Sequence, residues 1–290
     1  ELAPYSQWMD SLALDSPYDY DPFWQKCVDL KVSPTSHASG QRWGSRRSVS
    51  NYTFNHVGAF AAAGEAFCKA LFLGGVTHRF PQLRFCLLEG GVNWAVSLYN
   101  DLYEHWEKRN IEALNEYLDP KQIDRPLLAD LMEKYGGKEY TPYLDRFKVK
   151  DNVPGARPGL MPDLDCIDDW DRTGITSKQD IHDKFIPRFY FGCEADDKTI
   201  AHAFNTKCNH GGARLQAVFS SDVAHWDVPD MTETLAESYE LVEDGLITHD
   251  DFREFTFSNM VRLQGALNRD FFKGTVVETE AAKILAAESA

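Results

Sequence analysis

Leu215-Gln216-Ala217-Val218-Phe219-Ser220-Ser221-Asp222 is a short apolar run that breaks off at two serines and a carboxylate. It is too short for a typical helix, and turn residues follow it, so it reads as a strand. Three other stretches share its form. Lys31–Ser36 ends at His37, Arg84–Leu88 ends at Glu89, and Arg188–Cys193 ends at Glu194. None alternates polar and apolar residues cleanly. That is the pattern of strands buried on both faces of a parallel sheet.

Between these runs the spacing predicts helices over Asp21–Leu30, Val49–Leu73, Asn93–Arg109, Asp196–Asn209, Met231–Asp244 and His249–Phe257. Pro22 suits the first turn of the first helix, where a missing N–H costs nothing. Strand–helix alternation of this kind indicates an α/β fold with parallel strands. The segment 110–186 breaks the rhythm. It holds a Pro-rich stretch, Val153–Pro162, and an acidic cluster, Asp163–Asp171, and reads as a helical insertion between the second and third strands. The acidic cluster reads as a solvated surface. No internal repeat and no low-complexity linker divides the 290 residues, so one domain is expected to span 1–290.

Composition narrows the function classes. Thirty Lys and Arg against 45 Asp and Glu give a net charge of -15, which argues against nonspecific binding to nucleic acid or an anionic membrane. The most apolar run, Ala59–Val76, is broken by Gly64, Glu65 and Lys69, so no membrane span is expected. The six cysteines have scattered spacings without a C-x-x-C pair, and read as reduced thiols of a cytoplasmic protein. The chain opens at Glu1 without a signal-peptide pattern, consistent with a fragment or a processed chain.

Chemistry in parallel α/β folds sits at the carboxyl ends of strands. The residues there are His37, Glu89, Glu194 and Asp222. All four types can ligate a metal or move a proton. His37 is followed by small residues, which leaves room for an ion; a buried histidine bonded to backbone is the bland alternative. Asp222 emerges from an apolar strand well before the next expected helix, which favours a role in function over a helix cap. Glu89 precedes Gly90 and Gly91, which let backbone approach a ligand; pairing with an arginine is the alternative. Glu194 heads an acidic run before a helix, where favouring the helix dipole is the simpler role. Past the first strand, Arg46 could grip a carboxylate, and His56 lies nearby; a solvent-facing loop is the alternative.

The order strand-His, strand-Glu-Gly-Gly, strand-Gly-Cys-Glu, strand-Ser-Asp-x-x-His resembles the later half of the amidohydrolase-related proteins. These are the amidohydrolase 2 group, which includes aminocarboxymuconate-semialdehyde decarboxylase and resorcylate-type decarboxylases. Phe80-Pro81-Gln82-Leu83-Arg84-Phe85 is similar to the group's Phe-Pro-x-Leu lead into a strand, Ser221-Asp222 with His225 to its metal-binding aspartate motif, and Ser258-Asn259-Met260-Val261-Arg262-Leu263 to its closing helix. The resemblance covers most of the chain outside the insertion. It implies a (β/α)8 TIM barrel with one divalent metal ion, zinc or manganese. His37 matches the fifth-strand ligand and Asp222 the eighth-strand ligand, so the chain would supply strands five to eight. No His-x-His or Glu-x-His precedes His37, which implies that the first half of the barrel lies in a longer protein. Glu89 stands where many members have histidine, which leaves the reaction type open.

The function so implied is a metal-dependent hydrolase or nonoxidative decarboxylase acting on a small carboxylated or cyclic substrate. His37 and Asp222 would hold the metal. Asp222 and Glu89 would be catalytic, and Arg46, His56 and His225 would bind substrate. The alternative is a catalytically silent barrel relative, or a fragment working as a subunit of an assembly, with a homo-oligomer left open.

Overall fold

The computed structural model describes residues 10–40, 46–119, 122–148 and 168–288. The Pro-rich stretch Val153–Pro162, Cys166, the first five residues of the acidic cluster and the loop 41–45 lie outside the described residues.

The fold is mixed α/β, built on one parallel sheet. Its strands are β1 (Thr35–Ser36), β2 (Phe85–Leu87), β3 (Phe189–Cys193) and β4 (Gln216–Phe219). Their spatial order is their chain order, and each neighbouring pair is parallel. All four lie within the expected strands. Among the described residues β1 and β4 are the edges of the sheet.

Two compact units emerge from the chain. The sheet unit comprises residues 1–104 and 171–290, and the second unit is His105–Trp170. The insertion expected over 110–186 is therefore shorter at its far end. Asp171–Ile186 belongs with the sheet, where a capping box between Ser177 and Asp180 starts a helix that leads into β3.

In the sheet unit the helices are α1 (Asp21–Asp29), α2 (Tyr52–His56), α3 (Ala59–Leu73) and α4 (Val76–Arg79) before β2. Helix α5 (Asn93–Arg109) follows β2 and has the expected span. In the second unit lie α6 (Ile111–Ala113), α7 (Arg125–Tyr135) and α8 (Leu144–Lys148). Helix α9 (Lys178–Phe185) precedes β3, and α10 (Thr234–Glu243), α11 (His249–Arg253), α12 (Asn259–Gly265) and α13 (Glu278–Ala287) follow β4.

Three helix expectations are corrected. Val49–Leu73 is two helices, because Asn51 caps α2 by accepting from Phe54 N at 2.8 Å and Gly58 takes φ 68° before α3. Asp196–Asn209 contains only a 3₁₀ helix, Lys198–Phe204, started by Asp197 accepting from the Thr199 amide. The helix expected at His249–Phe257 runs on instead, through a π-type turn (Glu254–Ser258) into α12.

The two faces of the sheet are covered differently. On one face the Phe85 and Phe189 rings lie tilted at 5.7 Å and meet Trp24 of α1, Phe72 of α3 and Phe185 of α9. On the other, Cys86, Tyr190 and Val218 pack with Leu263, flanked by Leu88 and Met260. Each buried side chain of this size contributes about 2 kcal/mol by leaving water. The helical stretch Tyr52–Leu73 has the length and mean hydropathy, 1.2, that a bilayer crossing requires by those measures alone. Gly58 divides it, Glu65 and Lys69 pair within it at 2.8 Å, Phe72 packs on the sheet, and 33% of its apolar window is buried. Cys27, Cys68, Cys86, Cys193 and Cys208 are free thiols, and all but Cys208 are buried.

Candidate metal centre

Because all four strands are parallel, the residues that follow them reach the same end of the sheet. His37 follows β1, Glu89 follows β2, Glu194 follows β3 and Asp222 follows β4. His37 Nε2 meets the Glu89 carboxylate directly, with the imidazole half-exposed and the carboxylate mostly covered. His37 also lies 5.1 Å from the Phe60 ring, which His56 approaches from another side at 5.6 Å.

The second group is denser. His225 Nδ1 lies 3.3 Å from Asp222 Oδ2 and contacts Asp227 Oδ1. One ligand atom from each of Asp222, His225 and Asp227 lies within 4.8 Å of the others. A tight turn, with His225 N donating to Asp222 O at 3.0 Å, brings the imidazole back over the aspartate. The next helix, α10, begins only at Thr234, so Asp222 caps no helix.

Six non-glycine residues among those described have positive φ; Leu12, Asp15 and Lys31 lie elsewhere, and three are at these strand ends. Glu89 (φ 61°), Asp222 (φ 48°) and Ala224 (φ 83°) occupy the left-handed region without being glycine. Each such residue costs about 1–2 kcal/mol, and in folded proteins the strain gathers at functional sites.

The electrostatics couple the groups. Lost hydration first, then the charges of Asp196, Glu89, Asp222 and Asp227, push the Glu194 carboxyl up to about 7. Its hydrogen bond to Asp227 raises the His225 pKa, against the opposing effect of burial, and the charges of Asp222, Asp227 and Glu89 add to the rise. Reciprocally, the His225 hydrogen bond lowers Asp227, and the His56 charge adds to that. A cleft of about 1350 Å³ opens beside these groups. Glu194, Asp196, Asp222 and Asp227 line one part of it. Glu233, Glu237, Glu240 and Glu243 line the rest, with Leu235, Tyr239 and Phe252 as its apolar surface. Among the described residues, no lysine or arginine lines it.

The residues singled out in the sequence are thus partly gathered. Asp222 and His225 share one cluster, while His37 is engaged by Glu89. His56 stacks on Tyr52 at 5.2 Å and shares Phe60 with His37. Arg46 Nη1 donates to Gly58 O at 3.1 Å, in the loop before α3. Glu194, read as a dipole partner of the following helix, sits among the site carboxylates, and Asp197 does the capping instead. Asp227 was missed. The spacing Asp222-x-x-His225-x-Asp227, in a segment too rich in turn residues for a helix, could have pointed to it.

No protein-family model matches the chain, and no curated protein matches it.

Proposed function

We propose that this chain is the arc of strands five to eight of a (β/α)8 barrel, and that its carboxyl-end cluster is the metal centre of a divalent-metal-dependent hydrolase. The observation that carries the reading is the convergence of Asp222, His225 and Asp227 within 4.8 Å. Two carboxylates and an imidazole are a donor set that suits zinc or manganese. A strand order equal to the chain order, without the reversal of doubly wound sheets, supports the barrel arc. The free thiols suit a reducing, cytoplasmic compartment.

A divalent ion bound here would supply Lewis acidity toward a substrate oxygen. The chain's own residues do the rest. Asp222 and Asp227 concentrate negative charge at the β4 tip. Glu194, poised near neutrality, is the group placed to take a proton from the attacking water and return it to the leaving group. Glu89, covered and held by His37, orients the substrate. The cleft sets the substrate class. Its carboxylates, with no arginine or lysine among them, favour a neutral or cationic body lying on Tyr239 and Phe252. That favours hydrolysis over decarboxylation, which would have to draw a carboxylate into the same cleft.

The test is calorimetric titration of chelator-treated protein with zinc and with manganese, together with turnover on a panel of lactones, amides and esters. One ion per chain is expected, with affinity at least about tenfold weaker in Asp222→Asn and in Asp227→Asn. Absence of saturable binding, or equal affinity in all three proteins, would leave the silent-relative reading in its place.

A further inference from the structure

The opposite end of the sheet carries an excess of positive charge that the proposed hydrolase chemistry does not use. The pairing of Phe85 with Phe189 sets Arg84 beside Arg188, at the amino ends of β2 and β3. Both are two residues before members of one packed cluster, Cys86 and Tyr190, so both project on that face of the sheet. Arg84 Nη1 turns back to the Pro81, Gln82 and Leu83 carbonyls, 3.1–3.3 Å away. Arg188 is different, for its Nε is buried without a hydrogen-bond partner. Among the described residues, neither arginine forms an ion pair.

The surrounding charges do not balance. Arg262 lies in the same field and is matched by Glu254 and Glu288, the latter at 2.7 Å from its Nε. Glu288 is also the carboxylate that acts on Arg84. Among the described residues, three guanidinium groups therefore stand against two carboxylates, neither of which pairs with Arg188. Burial, and then the charge of Arg84, bring the Arg188 guanidinium down to about 10. An unsatisfied buried guanidinium N–H is unfavourable, and a like charge beside it adds to that cost.

We propose that Arg84 and Arg188, beside the Tyr190 hydroxyl, form a binding site for one small oxyanion at the amino end of the sheet. Two guanidinium groups side by side present paired N–H donors to an anion with two or more oxygens, and one anion removes both the orphan donor and the surplus charge. Phosphate and a simple carboxylate share this chemistry.

The experiment is a titration of the full chain at constant ionic strength, followed by the arginine Nε–H resonances. The probes are inorganic phosphate and acetate, with chloride as the control. A saturable shift of the Arg188 Nε–H with either probe and not with chloride supports the site, and the tighter probe identifies its source. Arg188→Gln is expected to lose at least about tenfold in affinity, and Arg188→Lys less, since a lysine keeps the charge and loses the planar fork. No saturable shift with either probe in the wild-type chain overturns the proposal, whatever the variants do. So does an unchanged affinity in folded Arg188→Gln.

Discussion

Replacing Asp251 by alanine tests how the sheet holds β4, and with it the strand end that carries Asp222. Asp251 is buried at the start of α11. One of its oxygens accepts from Thr248 N at 2.9 Å and Thr248 Oγ1 at 2.7 Å, and its own N–H donates to Thr248 Oγ1 at 3.1 Å. The other oxygen receives the Arg214 guanidinium, two residues before β4. The helix it starts runs on to Phe255, which meets Phe219 of β4 at 5.8 Å, and to Asn259, whose Nδ2 donates to Ala217 O at 2.8 Å. Losing the cap costs about 1 kcal/mol. Losing the charged hydrogen bond adds about 1–2 kcal/mol, at the lower end because the Arg214 side chain is 43% exposed and its charge is screened. The sum, about 2–3 kcal/mol, predicts roughly 30–150-fold faster native-state hydrogen exchange at the Ala217 and Val218 amides. The effect carries a pH signature. Burial opposes ionisation of Asp251, but the Thr248 and Arg214 hydrogen bonds outweigh it and leave the pKa lowered. A depressed carboxyl stabilises the fold above its unfolded pKa, and that stability is lost as pH falls through the folded one. The gap between wild type and variant is therefore expected to close in acid below the ordinary carboxylate range. Exchange at β4 within threefold of wild type at neutral pH, or a gap that widens in acid, refutes the reasoning.

Three further outcomes are expected. Zinc must displace the proton that Asp227 and Asp222 help His225 to keep, so zinc affinity should climb with pH past the ordinary histidine value of 6.5 and flatten only above the raised His225 pKa; a flat profile in calorimetry from pH 6 to 8 counts against His225 as a ligand. Carbon-detected NMR should show the Glu194 carboxyl titrating near 7 in metal-free protein and lower once zinc is bound, and because its folded pKa is raised, stability from this group is lost as pH rises toward 7 and Glu194→Gln should remove that slope; a midpoint near 4.5 excludes it as the proton carrier. Finally, Glu89→Gly should be more stable to urea than Glu89→Ala by about 1 kcal/mol, the reverse of the ordinary order, because only glycine takes φ 61° without strain; equal or greater stability of the alanine variant removes the strain argument.

The strands were legible because each is a short apolar run that ends on a single polar residue. Burial on both faces implied parallel strands, whereas their register and their pairing in chain order come from the structure. The site was legible only as far as the strand tips. His37 and Glu89 lie on adjacent strands, and pairing in chain order is enough to bring them together. Asp227 and part of the cleft wall come from the long connection between β4 and α10, where no periodicity constrains the chain and its path depends on the turn at His225. Glycine chemistry misled in one place. Gly90 and Gly91 read as room for a ligand, yet a Cβ at Gly90 would lie 3.0 Å from Trp94 Nε1 and 3.2 Å from the Ala61 backbone. One at Gly91, at φ 65°, would lie 2.8 Å from Asp197 Oδ2. These glycines let α3 and the β3–3₁₀ loop close on β2.

That closure bears on how the site is held. Trp94 fills the space Gly90 leaves and meets Phe191 of β3 edge-on at 5.3 Å, while Gly192 keeps β3 close to the backbone of Leu88 and Glu89. Any side chain at residue 192 would push at the turn that holds Glu89 in its left-handed conformation. The backbone at Glu89 is thus fixed from both sides by packing, while its carboxylate meets the His37 imidazole. Packing of the backbone leaves the carboxylate oxygen that does not face His37 for a substrate or an ion. The same logic applies at β4, where Asp222 is strained and the Asn259 contact with Ala217 anchors the strand before it. Like Leu12, Asp15, Lys31 and Ala224, these two acids give up local stability to a left-handed backbone, and they do so at the ends of the strands that flank β3. The packing around them is where a substitution remote from the cleft is expected to disturb it most.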